Sequence, residues 1–196
     1  GRVEIAFGGL LGYLYVYEAS ANNSWTRTTL RATNLTNAYA CKGGIDTNGN
    51  GKPEIFLSGI GDADWETHIF EASGDNQFVE VAVLKENDGY LGRTFTALAD
   101  LDGTPPAEFM MEGNSHFWVY RSNGLGWSKI ALVEDPVGAG HIGLQTLDAN
   151  GNGRDELFWD ADNPIQFSGR TLILERPLAP SDAPLALATT TLRLPP

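Results

Sequence analysis

Apolar and polar positions alternate along this chain in short runs rather than with a helical period. Tyr13-Leu14-Tyr15-Val16-Tyr17-Glu18 and Trp25-Thr26-Arg27-Thr28-Thr29-Leu30 are rich in aromatic and β-branched residues. The turn formers from Ala19 to Ser24 separate them, which predicts a hairpin. The unit recurs as Thr67 to Glu71 with Phe78 to Leu84, and again as His116 to Arg121 with Trp127 to Leu132. A last partial copy runs from Arg170 to Glu175. One further strand per unit is expected around Ala38 to Ile45, Arg93 to Ala99 and His141 to Leu147. Wholly apolar triplets follow these, Ile55-Phe56-Leu57 and Leu157-Phe158-Trp159. Such runs suit strands covered on both faces, so the expected class is all-β.

The segments between those strands and the apolar triplets carry the chain's main candidate chemistry. Asp46-Thr47-Asn48-Gly49-Asn50-Gly51-Lys52-Pro53-Glu54 recurs almost unchanged as Asp148-Ala149-Asn150-Gly151-Asn152-Gly153-Arg154-Asp155-Glu156. Oxygen side chains stand at positions one, three, five and nine, and the carbonyl at position seven is available to join them. Several hard oxygens around a small volume are what Ca²⁺ takes. Gly51 and Gly153, at position six, are expected to turn the chain sharply through positive φ. Asn-Gly steps are also ordinary hairpin punctuation, but two near-identical copies favour calcium over a plain turn. An EF-hand would place its bidentate carboxylate at position twelve, where Leu57 and Trp159 stand here.

A third, degraded copy spans Asp100-Leu101-Asp102-Gly103-Thr104-Pro105-Pro106-Ala107-Glu108. Proline at position six cannot adopt positive φ, so a rigid turn is expected there, with Asp100, Asp102, Thr104 and Glu108 as weaker metal candidates. The opening Gly1-Arg2-Val3-Glu4-Ile5 matches the back half of the motif, so the chain is expected to begin inside a repeat. The closing glutamates Glu4, Glu54, Glu108 and Glu156 are spaced by 50, 54 and 48 residues. Four short strands per such period is the pattern of a propeller blade.

At this point the chain resembles the FG-GAP/VCBS repeats of integrin-α-like β-propellers, over about residues 1 to 176. The resemblance rests on Asp-x-Asn-x-Asn-Gly-x-x-Glu before an apolar strand, and on Tyr15-Val16-Tyr17-Glu18-Ala19-Ser20 and Ile69-Phe70-Glu71-Ala72-Ser73-Gly74. It implies a β-propeller of four-stranded antiparallel blades, with blades at about 1–37, 38–91, 92–139 and 140–176. About three and a half blades are present, either an open arc or a four-unit ring. It also implies Ca²⁺ held by Asp46, Asn48, Asn50, Glu54 and the Lys52 carbonyl, and by Asp148, Asn150, Asn152, Glu156 and the Arg154 carbonyl. Asparagine stands where the family carries aspartate at positions three and five, which implies weak sites of about 10⁻⁴–10⁻³ M. Residues 177–196, rich in Pro, Ala and Thr, read as an exit linker.

Composition narrows the partners. Thirteen Lys plus Arg against twenty-five Asp plus Glu leave a net charge of −12, which disfavours nucleic acid and anionic lipid. Cys41 is the only cysteine, so no intrachain disulfide forms. No stretch approaches a membrane span, and the first residues do not read as a signal peptide. His68, His116 and His141 occupy dissimilar places and read as strand or loop residues. Asp62/Asp64 and Asp160/Asp162 read as loop carboxylates rather than a catalytic pair. Trp25 and Trp127 occupy equivalent strand starts, which favours packing, and Trp65 is the candidate partner contact. The functional expectation is a non-enzymatic, secreted or cell-surface calcium-binding repeat that meets an extracellular protein or glycan and adjoins further blades or domains. The alternative is part of a secreted polysaccharide hydrolase or lyase.

Overall fold

The computed structural model describes residues 4–32, 34–62, 65–86, 96–101, 105–112, 116–134, 140–151, 155–163, 168–175 and 188–192. Among them the secondary structure is β, with no helix. The strands are β1 (Glu4–Gly8), β2 (Tyr13–Ala21), β3 (Ser24–Arg31), β4 (Asn37–Ile45), β5 (Glu54–Ile60), β6 (Trp65–Gly74) and β7 (Gln77–Glu86). They continue as β8 (Thr96–Ala99), β9 (Glu108–Glu112), β10 (His116–Ser122), β11 (Trp127–Glu134), β12 (Gly140–Leu147), β13 (Glu156–Asn163), β14 (Ser168–Glu175) and β15 (Ala188–Leu192).

These strands form four antiparallel sheets, each an up-and-down meander in chain order: β1–β3, β4–β7, β8–β11 and β12–β15. The hairpins expected from alternation are β2–β3, β6–β7 and β10–β11. Asn23 and Asn76 take the left-handed conformation at the first two turns, with φ of 58° and 54°. Asparagine tolerates that region better than other residues bearing a Cβ. In two of the four-stranded sheets the second strand is the most enclosed: β5 is buried from Glu54 to Gly59, and β9 along its whole length.

Two compact units divide the chain, Gly1–Asp46 with Asn50–Thr94, and Thr47–Gly49 with Phe95–Pro196. In the first unit, Leu14 and Val16 of β2 pack against Ile55, Leu57 and Phe70 of the second sheet. In the second unit, Met110, Phe117 and Val119 pack against Leu157 and Trp159. There the buried Trp159 indole donates to Glu112 Oε1 at 2.6 Å, so this tryptophan is a core residue.

Three placements differ from the sequence reading. Ala188–Leu192, inside the stretch expected to be a linker, pairs with β14 from Thr171↔Leu192 to Glu175↔Ala188. Its Thr189-Thr190-Thr191 run is β-branched and lies along an edge of β14 that offers ladder hydrogen bonds. Asp160 and Asp162 lie within β13 rather than in a following loop. Trp25, expected to pack, is 45% exposed and lines a shallow pocket with Ile5, Phe7 and Tyr17.

Candidate cation loops

Each nine-residue segment joins the first strand of a sheet to the second: β4 to β5, β8 to β9, and β12 to β13. The closing glutamate is in every case the first residue of the second strand. Glu54 and Glu108 are fully buried and Glu156 nearly so. A carboxylate in such a position needs compensating partners. Glu108 Oε2 accepts the Leu101 N–H at 2.9 Å, and Glu156 Oε2 accepts the Ala149 N–H at 2.7 Å. Both amides belong to position two of their loops, so the ninth residue ties the loop's end to its start.

The first loop is held by its own aspartate. Asp46 Oδ2 accepts the Gly51 N–H at 2.7 Å, and Oδ1 accepts the Asn50 N–H at 3.2 Å. The chain reverses through Gly49 and Gly51, whose φ angles are 77° and 87°. Asn50 Oδ1 accepts the Lys52 N–H at 2.9 Å. Asn48 is half-buried. From the hairpin strand β6, Glu71 joins the loop: Oε2 accepts from Asn50 Nδ2 at 2.5 Å, and Oε1 meets Lys52 Nζ at 3.1 Å.

The loop between β12 and β13 repeats part of this scheme. Asp148 Oδ1 accepts the Gly151 N–H at 2.7 Å, and Asn150 Nδ2 donates to Glu156 Oε1 at 2.6 Å. Asn152, Gly153 and Arg154 lie outside the described residues. In the third copy Asp100 is half-buried, while Asp102 and Thr104 lie outside the described residues. Its Glu108 is gripped by Arg121 of β10, Nε donating to Oε1 at 2.8 Å and Nη2 donating to the same oxygen.

The donor set of the two intact loops suits a hard cation: one aspartate, amide oxygens, a backbone carbonyl and a buried glutamate, with no soft ligand among them. A carboxylate oxygen that accepts one N–H keeps a second lone pair. The Asp46 hydrogen bonds therefore shape the loop without consuming its acceptor capacity. Asn50 and Asn150 are directed to hydrogen-bond partners of the protein itself. No group of three or more His, Cys, Asp or Glu side chains is placed to hold a metal among the described residues. At the candidate ligand positions each intact loop supplies only two acidic side chains, Asp46 with Glu54 and Asp148 with Glu156.

The remaining candidates separate cleanly. Trp65 is the first residue of β6, and its side chain lies outside the described residues. His68 is buried between two carboxylates, Nδ1 2.8 Å from Glu80 Oε2 and Nε2 3.2 Å from Glu66 Oε2, and Lys85 Nζ closes the network on Glu66 at 2.6 Å. His116 packs edge-on against Trp118 at 4.4 Å. Asp62 is exposed, and Asp64 lies outside the described residues. Burial pushes the Cys41 thiol up to about 12, against a smaller opposing pull from Lys42.

Sequence reasoning passed over Glu71 and Arg121. Their signal was positional, since Glu18, Glu71, Arg121 and Glu175 each follow the apolar run of the hairpin's first strand. Neither the family models nor the curated proteins compared with this chain match it.

Proposed function

We propose that the chain is a calcium-stabilised repeat segment of the FG-GAP/VCBS kind, whose sheets are blades of a propeller and whose loops meet a protein or glycan outside the cell. The supporting observation is the repeated placement of the nine-residue loop. It joins the same two strands in three sheets, and each time a buried glutamate opens the second strand. Nothing in a plain turn requires a buried carboxylate at its end. Asp46, Asn48, Asn50, Glu54 and the Lys52 carbonyl would hold one ion, and Asp148, Asn150, Asn152, Glu156 and the Arg154 carbonyl another. A bound Ca²⁺ supplies positive charge to carboxylates that the sheet shields from water.

The chain's own residues do the rest. Asp46 and Asp148 pre-form the loops through backbone N–H groups, and Glu54 and Glu156 anchor them to the enclosed strand. The role is architectural, and a net charge of −12 directs the exposed loops toward partners other than nucleic acid. Retention on an array of matrix proteins and glycans, in calcium and in chelator, tests this reading. Calcium-dependent retention that weakens with Trp65→Ala is the expected outcome. Retention indifferent to the chelator would remove the calcium link, and no retention in either condition would sink the binding role.

A further inference from the structure

The strand beside each closing glutamate carries a second charge directly opposite it. Glu54 pairs with Glu71 across β5 and β6, and Glu4 with Glu18 across β1 and β2. One step past Leu157↔Leu174, the register sets Glu156 opposite Glu175. One step past Phe109↔Tyr120 it sets Glu108 opposite Arg121. Like charges directly opposite on neighbouring strands repel, and more so when enclosed. Both Glu54 and Glu71 are buried, so this cross-strand pair calls for positive charge. Lys52 answers in part from its half-exposed position at 3.1 Å. In the degraded loop the requirement is met wholly from within, because the Arg121 guanidinium lies on the fully buried Glu108 carboxylate.

We propose that the residue opposite the closing glutamate decides how each loop is neutralised. Glutamate at that position, Glu71 and by register Glu175, makes the loop recruit an external divalent cation, whereas Arg121 gives the third loop a cation of its own. The loss of the sixth-position glycine and the gain of Arg121 are then one exchange: a loop with a built-in guanidinium has no need to wrap an ion. Glu71 is a positioning residue in this scheme, holding Asn50 and Lys52 while adding negative charge. The inference rests on the calcium reading of the two intact loops.

Swapping the opposing residues tests it, with calcium titration calorimetry for stoichiometry and thermal unfolding in calcium and in chelator for stability. The wild type is expected to take up about two ions. Glu71→Arg should take up about one, with a midpoint in chelator no lower than wild type. Glu71→Gln should weaken the first site without supplying a charge, so its midpoint in chelator stays near wild type while the gain from calcium shrinks. Arg121→Glu should lower the midpoint in chelator and recover it in calcium, a response the wild-type third loop lacks. A Glu71→Arg chain that still binds both ions, or an Arg121→Glu chain equally destabilised with and without calcium, overturns this inference alone. A wild type that binds no calcium overturns the underlying reading, and this one with it.

Discussion

Gly51 shows how one residue fixes the shape of a loop. Its φ of 87° lies in the left-handed region, and a Cβ added there would meet nothing within 4 Å. The cost of Gly51→Ala is therefore backbone strain alone, about 1–2 kcal/mol. Urea unfolding should show a lower midpoint at unchanged slope, and an unshifted midpoint would mean the loop relaxes out of that conformation. Cys41 gives a second test. Burial pushes its thiol up from the ordinary 9.0 to about 12 in the folded chain. The unfolded state thus releases its proton first, and stability falls as pH rises from the lower value to the higher. Native Cys41 should alkylate more slowly at mildly alkaline pH than the urea-unfolded chain does, and Cys41→Ala should lose less stability over that window. Equal alkylation rates would contradict the burial. At this scale the loop residues were legible because they are contiguous, with donors at fixed offsets. Glu71 and Arg121 were not, because each reaches the loop across a strand pair, and only the register brings them there.

Among elements, β5 is one of the enclosed strands, buried from Glu54 to Gly59. Phe56 is fully buried in it, so Phe56→Ala should cost about 3–5 kcal/mol. Leu132 of β11 is 52% exposed, and Leu132→Ala should stay within about 0.5 kcal/mol. Denaturant midpoints for the pair check this directly, and similar losses at both positions would mean that β5 is not the enclosed strand. The strands were readable because alternation and β-branched content both point to pleated, half-buried surface. β15 was hidden by its setting: Ala188–Leu192 follows a Pro- and Ala-rich stretch, and a lone β-branched run has no periodic partner in the sequence to mark it. What gives it structure is the ladder along β14. Trp25 was misjudged for a related reason. Its equivalence to Phe78 holds along the chain, but Phe78 packs against the core of the first unit and Trp25 lies on a face left open among the described residues.

For the whole molecule, the repeat period was the most informative feature of the sequence, because each period is one meander of strands with the same loop between its first and second strands. Four antiparallel sheets in chain order follow that period, whereas no local pattern specifies how successive sheets are arranged. The central claim is that the loops are metal sites that stabilise those sheets. Thermal unfolding of the chain with and without millimolar Ca²⁺, beside an Asp46→Ala, Asp148→Ala double variant, tests it most directly. Binding to the folded state alone must raise the midpoint by mass action. The account predicts a calcium-dependent rise in the wild type that the double variant loses. A midpoint indifferent to calcium in both chains would contradict it, leaving the loops as turns and the sheets standing on packing alone.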